Sequence, residues 1–369
     1  MSTVIKLKIA FFGKNGSFDF YHIGGTDSII RRLSFYLTEL GDEVGFIHYG
    51  CKNNNELTPH QGIKILKFKL LNDAMEHLNR YYDHVISIYI APIDRLSYAA
   101  FRRANAQLKY HHLYQNWSEY SLKRKLNFAE AQIFPFNGCL FCVSPRIRNH
   151  ISQRSKKAVL LYPPVPEKYF IKPADKSNHN KIKVRYLGRV DTGKGTYEAA
   201  EVFRRLSNLQ EIETGIFGFP WAHNKETMLL HKQLLTDPRI NYQPVEYGSW
   251  SQDIESYLSS ILRETDILLL PYRKLSSTVD MPLLLLEGMA HLCAVIMPDY
   301  GDLHQIYGES PFNLTGKWAN DKVVDIIINA QSCLQAERER LYQRCQNLSF
   351  DSVSVTNLFK ESLATDSRN

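Results

Sequence analysis

No stretch of this 369-residue chain reaches the roughly 18 consecutive apolar residues that a membrane-spanning helix requires. The nearest approach, Met281 to Pro298, is interrupted by Glu287 and His291. Cysteine is scarce, six residues at Cys51, Cys139, Cys142, Cys293, Cys333 and Cys345 without a repeated spacing, which excludes a disulfide scaffold. Cys139 and Cys142 form a lone CxxC. A zinc ribbon needs a second pair and a redox pair needs a thiolate at a helix start, whereas GCLFCVS is apolar and strand-like, so buried core thiols are expected. Low-complexity tracts and short repeats are absent as well. With 44% apolar and 22% charged residues the composition is that of an ordinary globular protein. The opening MSTVIKLKIAFFG sets Lys6 and Lys8 inside its apolar stretch and has no small-residue cleavage site, so it reads as a first strand in a cytoplasmic protein.

The length suits two domains. Short β-branched or aliphatic runs alternate with helix-period segments from Leu7–Phe12 and Val44–His48 through Ile63–Phe68, Val85–Ile90, Leu108–Tyr114, Leu140–Val143 and Val159–Tyr162. Such alternation defines an α/β domain with a parallel sheet over 1–165. Pro163, Pro164, Pro166 and Pro173, followed by DKSNHNK, then mark a linker at 166–183. Strands resume at Val184–Leu187, Thr214–Phe217, Ile240–Tyr242, Ile267–Leu270 and Ala294–Met297, giving a second α/β domain over 184–345. Charge divides unevenly: residues 1–170 carry 23 Lys plus Arg against 13 Asp plus Glu, residues 171–369 carry 22 against 25. The first half therefore faces something anionic.

Three segments could carry chemistry. In KVRYLGRVDTGKGTYEAAEVF a strand ends at Gly188, a loop carries Arg189, Gly193, Lys194 and Gly195, and a helix begins near Thr196. Helix N-termini and closely spaced cations suit a diphosphate. The spacing is also close to a P-loop, but Gly195 stands where the magnesium-binding Ser or Thr belongs; a plain glycine-rich turn is the third reading. In DILLLPYRKLSSTVDMPLLLLEGMAHLCAVI a helix expected from about Met281 carries Glu287, whose carboxylate could take a ribose diol or cap its own helix. Gly24 and Gly25 open the first helix after a long loop, without GxGxxG spacing.

Together with CLFCVSPRIRNHI, VLLYPPVPEKYF, VEYGSWSQDIESYL and the closing NLSFDSVSVTNLFKESL, these segments resemble, in order and over nearly the whole chain, GT-B glycosyltransferases of the GT4 type. The resemblance implies two Rossmann-like domains facing each other across a cleft, with a C-terminal helix over 346–369 returning to the first. It implies a retaining transferase that moves a hexosyl-type sugar from a nucleotide-diphosphate sugar to a glycan or lipid-linked acceptor, in cell-surface polysaccharide or glycoconjugate synthesis. Arg189 and Lys194 would hold the diphosphate, Glu287 the ribose, and the backbone of Met281, Pro282 and Leu283 the phosphates. Gly24 and Gly25 would approach phosphate or acceptor, and Tyr247, Gly248 and Trp250 the base. No metal or other cofactor is expected, since positioned cations replace it and the chain has no DxD.

The chain departs from the family pattern in several places. Val279 stands where a second Glu is usual, so Asp280 is expected to meet the donor sugar instead. The usual strand-five His falls on Tyr114, with His112 two residues back on the same strand face, and either could reach the reacting centre. Leu292, Ala294 and Gln305 replace a Gly, a Pro and a downstream acid. Arg102, Arg103, Lys123, Arg124, Lys125, Arg146 and Arg148 suggest a patch resting on anionic lipid at the inner membrane face, a solvated helix face being the alternative; nucleic acid is not an expected partner. A P-loop-like NTPase, a non-catalytic nucleotide-sugar binder and an epimerase are the rival functions.

Overall fold

The run KIAFFGK is apolar on both faces, which suits a strand covered on both sides, and it forms the central strand β1 (Lys8–Lys14) of the first sheet. The computed structural model describes residues 6–60, 62–116, 122, 133, 135–153, 155, 157–177, 180–220, 225–245, 250–273, 279–299 and 301–366. The chain divides into two units, Met1–Pro164 with Phe350–Asn369, and Val165–Ser349.

In unit 1, β1 leads through α1 (Gly25–Glu39) to β2 (Glu43–Tyr49), β3 (Asn55–His60) and β4 (Ile63–Lys67). There follow α2 (Leu71–Tyr81), β5 (His84–Tyr89), α3 (Arg95–Ala104), β6 (Lys109–Tyr114), β7 (Leu140–Cys142), α4 (Pro145–Ser152) and β8 (Ala158–Leu160). The sheet order is β3-β4-β2-β1-β5-β6-β7-β8, parallel except where β3 runs against β4. Strand β3 was not anticipated. Its NELTPH sequence is largely polar and contains Pro59, which an edge strand accepts because one side of its backbone needs no ladder bonds. The chain leaves β1 toward β2 and returns on the other flank as β5. The start of α1 therefore sits at the carboxyl edge of the sheet, where the strand order switches.

Unit 2 repeats the scheme with β9 (Ile182–Val190), α5 (Thr196–Leu206), β10 (Ile212–Pro220), α6 (Lys225–Thr236), β11 (Tyr242–Pro244), α7 (Gln252–Glu264), β12 (Ile267–Leu269), α8 (Leu283–Ala290) and β13 (Ala294–Ile296). Helices α9 (Leu303–Tyr307), α10 (Asn320–Ile328) and α11 (Leu334–Leu348) complete it. All five strands are parallel in the order β11-β10-β9-β12-β13, so the switch point falls between β9 and β12. Val184, Phe203, Ile216, Ile267, Ile296 and Phe312 lie in its core, each fully buried. Full burial of a side chain of this size contributes about 1.5–3 kcal/mol.

The proline-rich stretch after Pro164 packs as part of unit 2. It forms two short 3-10 turns, Glu167–Tyr169 and Pro173–Asp175, and then buries Lys176. The ammonium donates to the carbonyls of Thr265 at 2.6 Å, His291 at 2.8 Å and Leu262 at 3.2 Å. Three carbonyl acceptors are what lets a lysine sit there, and burial still holds its pKa down. The final helix α12 (Ser352–Asp366) belongs to unit 1: Phe359 packs on Phe141 and Phe11, and Lys360 pairs with the buried Asp42 at 2.8 Å.

Unit 1 holds three histidines that stay neutral when folded. Burial pushes His48 down to about 4 and His112 to about 3, and holds His111 well below the usual range. His111 Nδ1 accepts from the Cys139 N–H at 2.8 Å, so its Nε2 carries the proton and donates to His84 Nδ1 at 3.1 Å. Below pH 6.5 the unfolded chain takes up protons that the folded one refuses, so stability is present above that pH and is lost as pH falls. Thermal melts from pH 7.5 to 5 should show a falling midpoint, with up to about a tenfold loss in folding constant per pH unit for each histidine. A midpoint flat across that range would contradict the burial of these rings.

Candidate active site

The turn from β9 to α5 is tightly specified. Asp191 Oδ1 accepts from Gly193 N–H at 2.6 Å, and the Tyr186 hydroxyl donates to the Arg189 carbonyl at 2.8 Å. Thr196 is fully buried, and its hydroxyl lies 3.2 Å from the carbonyls of Arg189 and Asp191 while accepting from Asp191 N–H at 3.1 Å. This commitment disposes of the P-loop reading, because the hydroxyl that would have to hold magnesium is enclosed by its own loop.

Gly195 adopts φ +79, the left-handed region, and a Cβ there would overlap the carbonyl of Pro271. That close approach fastens the glycine loop to the segment leaving β12. Arg273 N–H donates to the Gly193 carbonyl at 3.1 Å and its guanidinium pairs with Glu198 at 3.0 Å. Between these ties lie the two cations, Arg189 and Lys194. Lys194 is half-buried with its ammonium 4.8 Å from the Tyr272 ring centroid, and burial, then the neighbouring Arg189 guanidinium, push its pKa down to about 7; Asp191 opposes them.

Helix α8 begins at Leu283, two residues beyond the expected start, because Pro282 takes an extended conformation (ψ 124) and serves as the N-cap. Met281, Pro282 and Leu283 are buried, which leaves their backbone as the part a ligand could use. Glu287 falls in the second turn, half-buried, where its charge and that of Arg189 act on the Tyr272 hydroxyl, itself raised above the ordinary tyrosine pKa chiefly by burial. His291 fixes the end of this helix, with Nδ1 2.8 Å from the Glu287 carbonyl and Nε2 2.9 Å from Ser259 Oγ. Asp280 is only 2% exposed. Trp250 is buried just before α7, whose N-cap Ser251 accepts from Ile254 N–H; Tyr247 and Gly248 lie outside the described residues.

Unit 2 thus brings Arg189, Lys194 and Glu287 to the carboxyl edge of β9 and β12, together with Tyr272, which sequence reasoning did not single out; His291, also not singled out, stands at the far end of α8, where β13 is about to begin. A strand ending in Pro-Tyr opposite a glycine loop was the available signal. Among the described residues no group of three His, Cys, Asp or Glu could hold a metal ion.

An ordinary lysine pKa is 10.5, so the depressed value in the folded state has two consequences of opposite sign. Between about 7 and 10.5 the unfolded chain binds the proton more readily, so the cost of burying this ammonium is present below about 7 and is relieved as pH rises. A bound diphosphate instead draws the proton back, so affinity for a nucleoside diphosphate should fall by up to about tenfold per pH unit above 7. Titration calorimetry at pH 7, 8 and 9 checks this, and a constant affinity would contradict it.

In unit 1, Gly24 is the N-cap of α1 and Gly25 its first residue. A Cβ on Gly24 would overlap the buried Asp27 carboxyl group, whose Oδ1 accepts from Asp19 N–H at 2.7 Å and whose pKa burial raises, so the helix mouth is already occupied by a side chain of its own. Thr26 Oγ1 bonds Gln115 just past β6. His112 stacks on Phe136, meets Tyr114 edge-on at 4.4 Å and lies 2.8 Å from Ser87 Oγ. The serine proton goes to the His111 carbonyl, so His112 donates from Nδ1 and keeps Nε2 as an acceptor. Tyr114 is 3% exposed.

The basic patch is corrected in one member. Arg102 is buried, its guanidinium 3.9 Å from the Phe136 ring centroid and 5.0 Å from that of Tyr98, so it braces the core where the sequence reading placed it on a lipid-facing surface. Arg103 and Arg148 are exposed and Arg146 is half-buried; Lys123, Arg124 and Lys125 lie outside the described residues. No helix among the described residues is long and apolar enough to cross a membrane. The CxxC thiols are buried, with Cys142 pushed up to about 12.

No protein-family model and no curated protein matches the chain. Solved structures do. Sucrose-phosphate synthase from Thermosynechococcus elongatus is 15% identical at a TM-score of 0.70, covering 98% of this chain and 100% of its own. HepE from Anabaena in complex with UDP is 13% identical at 0.73, covering 97% and 100%. A glycosyltransferase from Rickettsia africae is 15% identical at 0.69, covering 99% of each. The fold is accordingly GT-B, built of two Rossmann-like domains.

Proposed function

We propose that the protein is a retaining glycosyltransferase of the GT4 type that takes a hexosyl group from a nucleotide-diphosphate sugar. The observation that carries this reading is the Arg189 and Lys194 pair at the switch point of unit 2, where burial and the neighbouring guanidinium push the lysine pKa down to about 7, as suits a cation that gains its partner when an anion binds. Arg189 and Lys194 hold the diphosphate and stabilise the negative charge that develops on it as the glycosidic bond breaks, without a metal. Glu287 accepts the ribose hydroxyls, the backbone at the start of α8 meets the phosphates, and the segment ending at Trp250 meets the base. Asp280 approaches the donor sugar.

Unit 1 is the acceptor side in this reading. Gly24 and Gly25 approach the acceptor or phosphate, and His112 or Tyr114 contacts the reacting sugar. The acceptor is a glycan or lipid-linked intermediate in cell-surface polysaccharide or glycoconjugate synthesis, met in the cytoplasm at the inner membrane face. HepE was crystallised with UDP-glucose, which makes that donor the first to try.

The test is release of nucleoside diphosphate from UDP-, GDP- and ADP-hexoses in EDTA, with and without a panel of glycan and lipid-linked acceptors, and with the anomeric proton of the product followed by NMR. Release with α-configured product from an α-donor supports the reading. Binding without turnover on any donor supports a non-catalytic relative, and product formed without acceptor supports an epimerase.

A further inference from the structure

We propose that Tyr272 is a positioning residue of the donor site, whose ring face seats the Lys194 ammonium against the diphosphate. The inference rests on the transferase reading above and adds a residue to it. Lys194 stands on a loop whose backbone is fixed by Asp191, Thr196 and Pro271, but its side chain has four rotatable bonds of its own. A cation near a second cation, Arg189, would swing toward solvent unless something opposed the repulsion. The Asp191 carboxylate supplies part of that opposition, and the Tyr272 ring adds to it: its centroid lies 4.8 Å from Nζ, and a quadrupole with its negative face toward an ammonium attracts it.

Tyr272 is itself held. It follows Pro271 at the end of β12, its N–H donates to the Leu270 carbonyl at 2.8 Å, and it is 9% exposed. The next residue, Arg273, is tied to the glycine loop by the Gly193 carbonyl and by Glu198. These ties fix the backbone that carries the ring, and its burial leaves the ring little room to turn away from Lys194. The Tyr272 hydroxyl feels the charges of both Arg189 and Glu287, the proposed diphosphate and ribose groups. Seating by the ring fixes where the charge is delivered, and only a ligand that carries the diphosphate profits from it.

The experiment compares Tyr272→Leu, which removes the ring face, with Tyr272→Phe, which keeps it, using calorimetry with UDP, GDP and ADP and with the matching nucleoside. In the nucleotide that the wild type binds, Tyr272→Leu should weaken the diphosphate about fivefold to tenfold and leave the nucleoside within about twofold, while Tyr272→Phe recovers most of the loss. In a Lys194→Ala background Tyr272→Leu should have no further effect, whereas in Arg189→Ala it should still weaken binding. Near-UV circular dichroism verifies that the variants are folded. Equal losses for nucleoside and diphosphate, or an undiminished loss in the Lys194→Ala background, would overturn the role assigned to Tyr272 and leave the transferase reading standing. Failure of the wild type to bind any of the three nucleotides would overturn both.

Discussion

Lys194→Ala is expected to lower turnover of the nucleotide-sugar by about 10²–10³, the usual consequence of removing one preorganised group that stabilises charge in the transition state. The fold should not suffer. Lys194 is half-buried with its charge disfavoured by burial and by Arg189, so its removal relieves a cost, and the melting temperature at pH 7 should stay level or rise. Loss of activity with gain of stability is the pattern of a functional residue kept against the interest of folding. Steady-state kinetics and a thermal melt on the same preparation measure both. A variant with full activity would remove Lys194 from the mechanism, and one that is inactive because it melts early would make the lysine structural.

Gly195→Ala is expected to do as much damage from the backbone side. At φ +79 an alanine costs about 1 kcal/mol, and its methyl group would meet the main-chain carbonyl of Pro271, which has no rotamer by which to withdraw. The glycine loop and the segment leaving β12 must then part. That separates Lys194 from Tyr272 and loosens the bond from Arg273 N–H to the Gly193 carbonyl. Nucleoside diphosphate affinity should fall at least about tenfold, with roughly 1–3 kcal/mol lost from the stability of unit 2. Calorimetry and denaturant titration read the two effects. A variant indistinguishable from the wild type would mean that the loop does not require this approach.

Much of this arrangement was legible in the residues. Each expected strand is present within a few residues, because parallel strands buried on both faces leave continuous runs such as KIAFFGK and DILLL. The β9 turn was legible because Gly188, Gly193 and Gly195 punctuate a strand-to-helix junction that also carries two cations, Arg189 and Lys194. Tertiary partners were harder to read. Strand β3 has no apolar pattern of its own and exists because β4 offers it an edge. Arg102 looks like surface charge in sequence, and only the fold brings Phe136 over it. Tyr272 and His291 were invisible for the same reason, since their partners lie tens of residues away along the chain, on other elements.

Arg189 and Lys194 are proposed to make unit 2 a metal-independent site for a nucleoside diphosphate. Its most direct test is calorimetric titration of the purified protein with UDP, GDP, ADP and ATP, each in magnesium and in EDTA. At least one nucleoside diphosphate should bind equally well in both and lose at least about tenfold in Arg189→Ala. Binding confined to ATP with magnesium, accompanied by its hydrolysis, would contradict it.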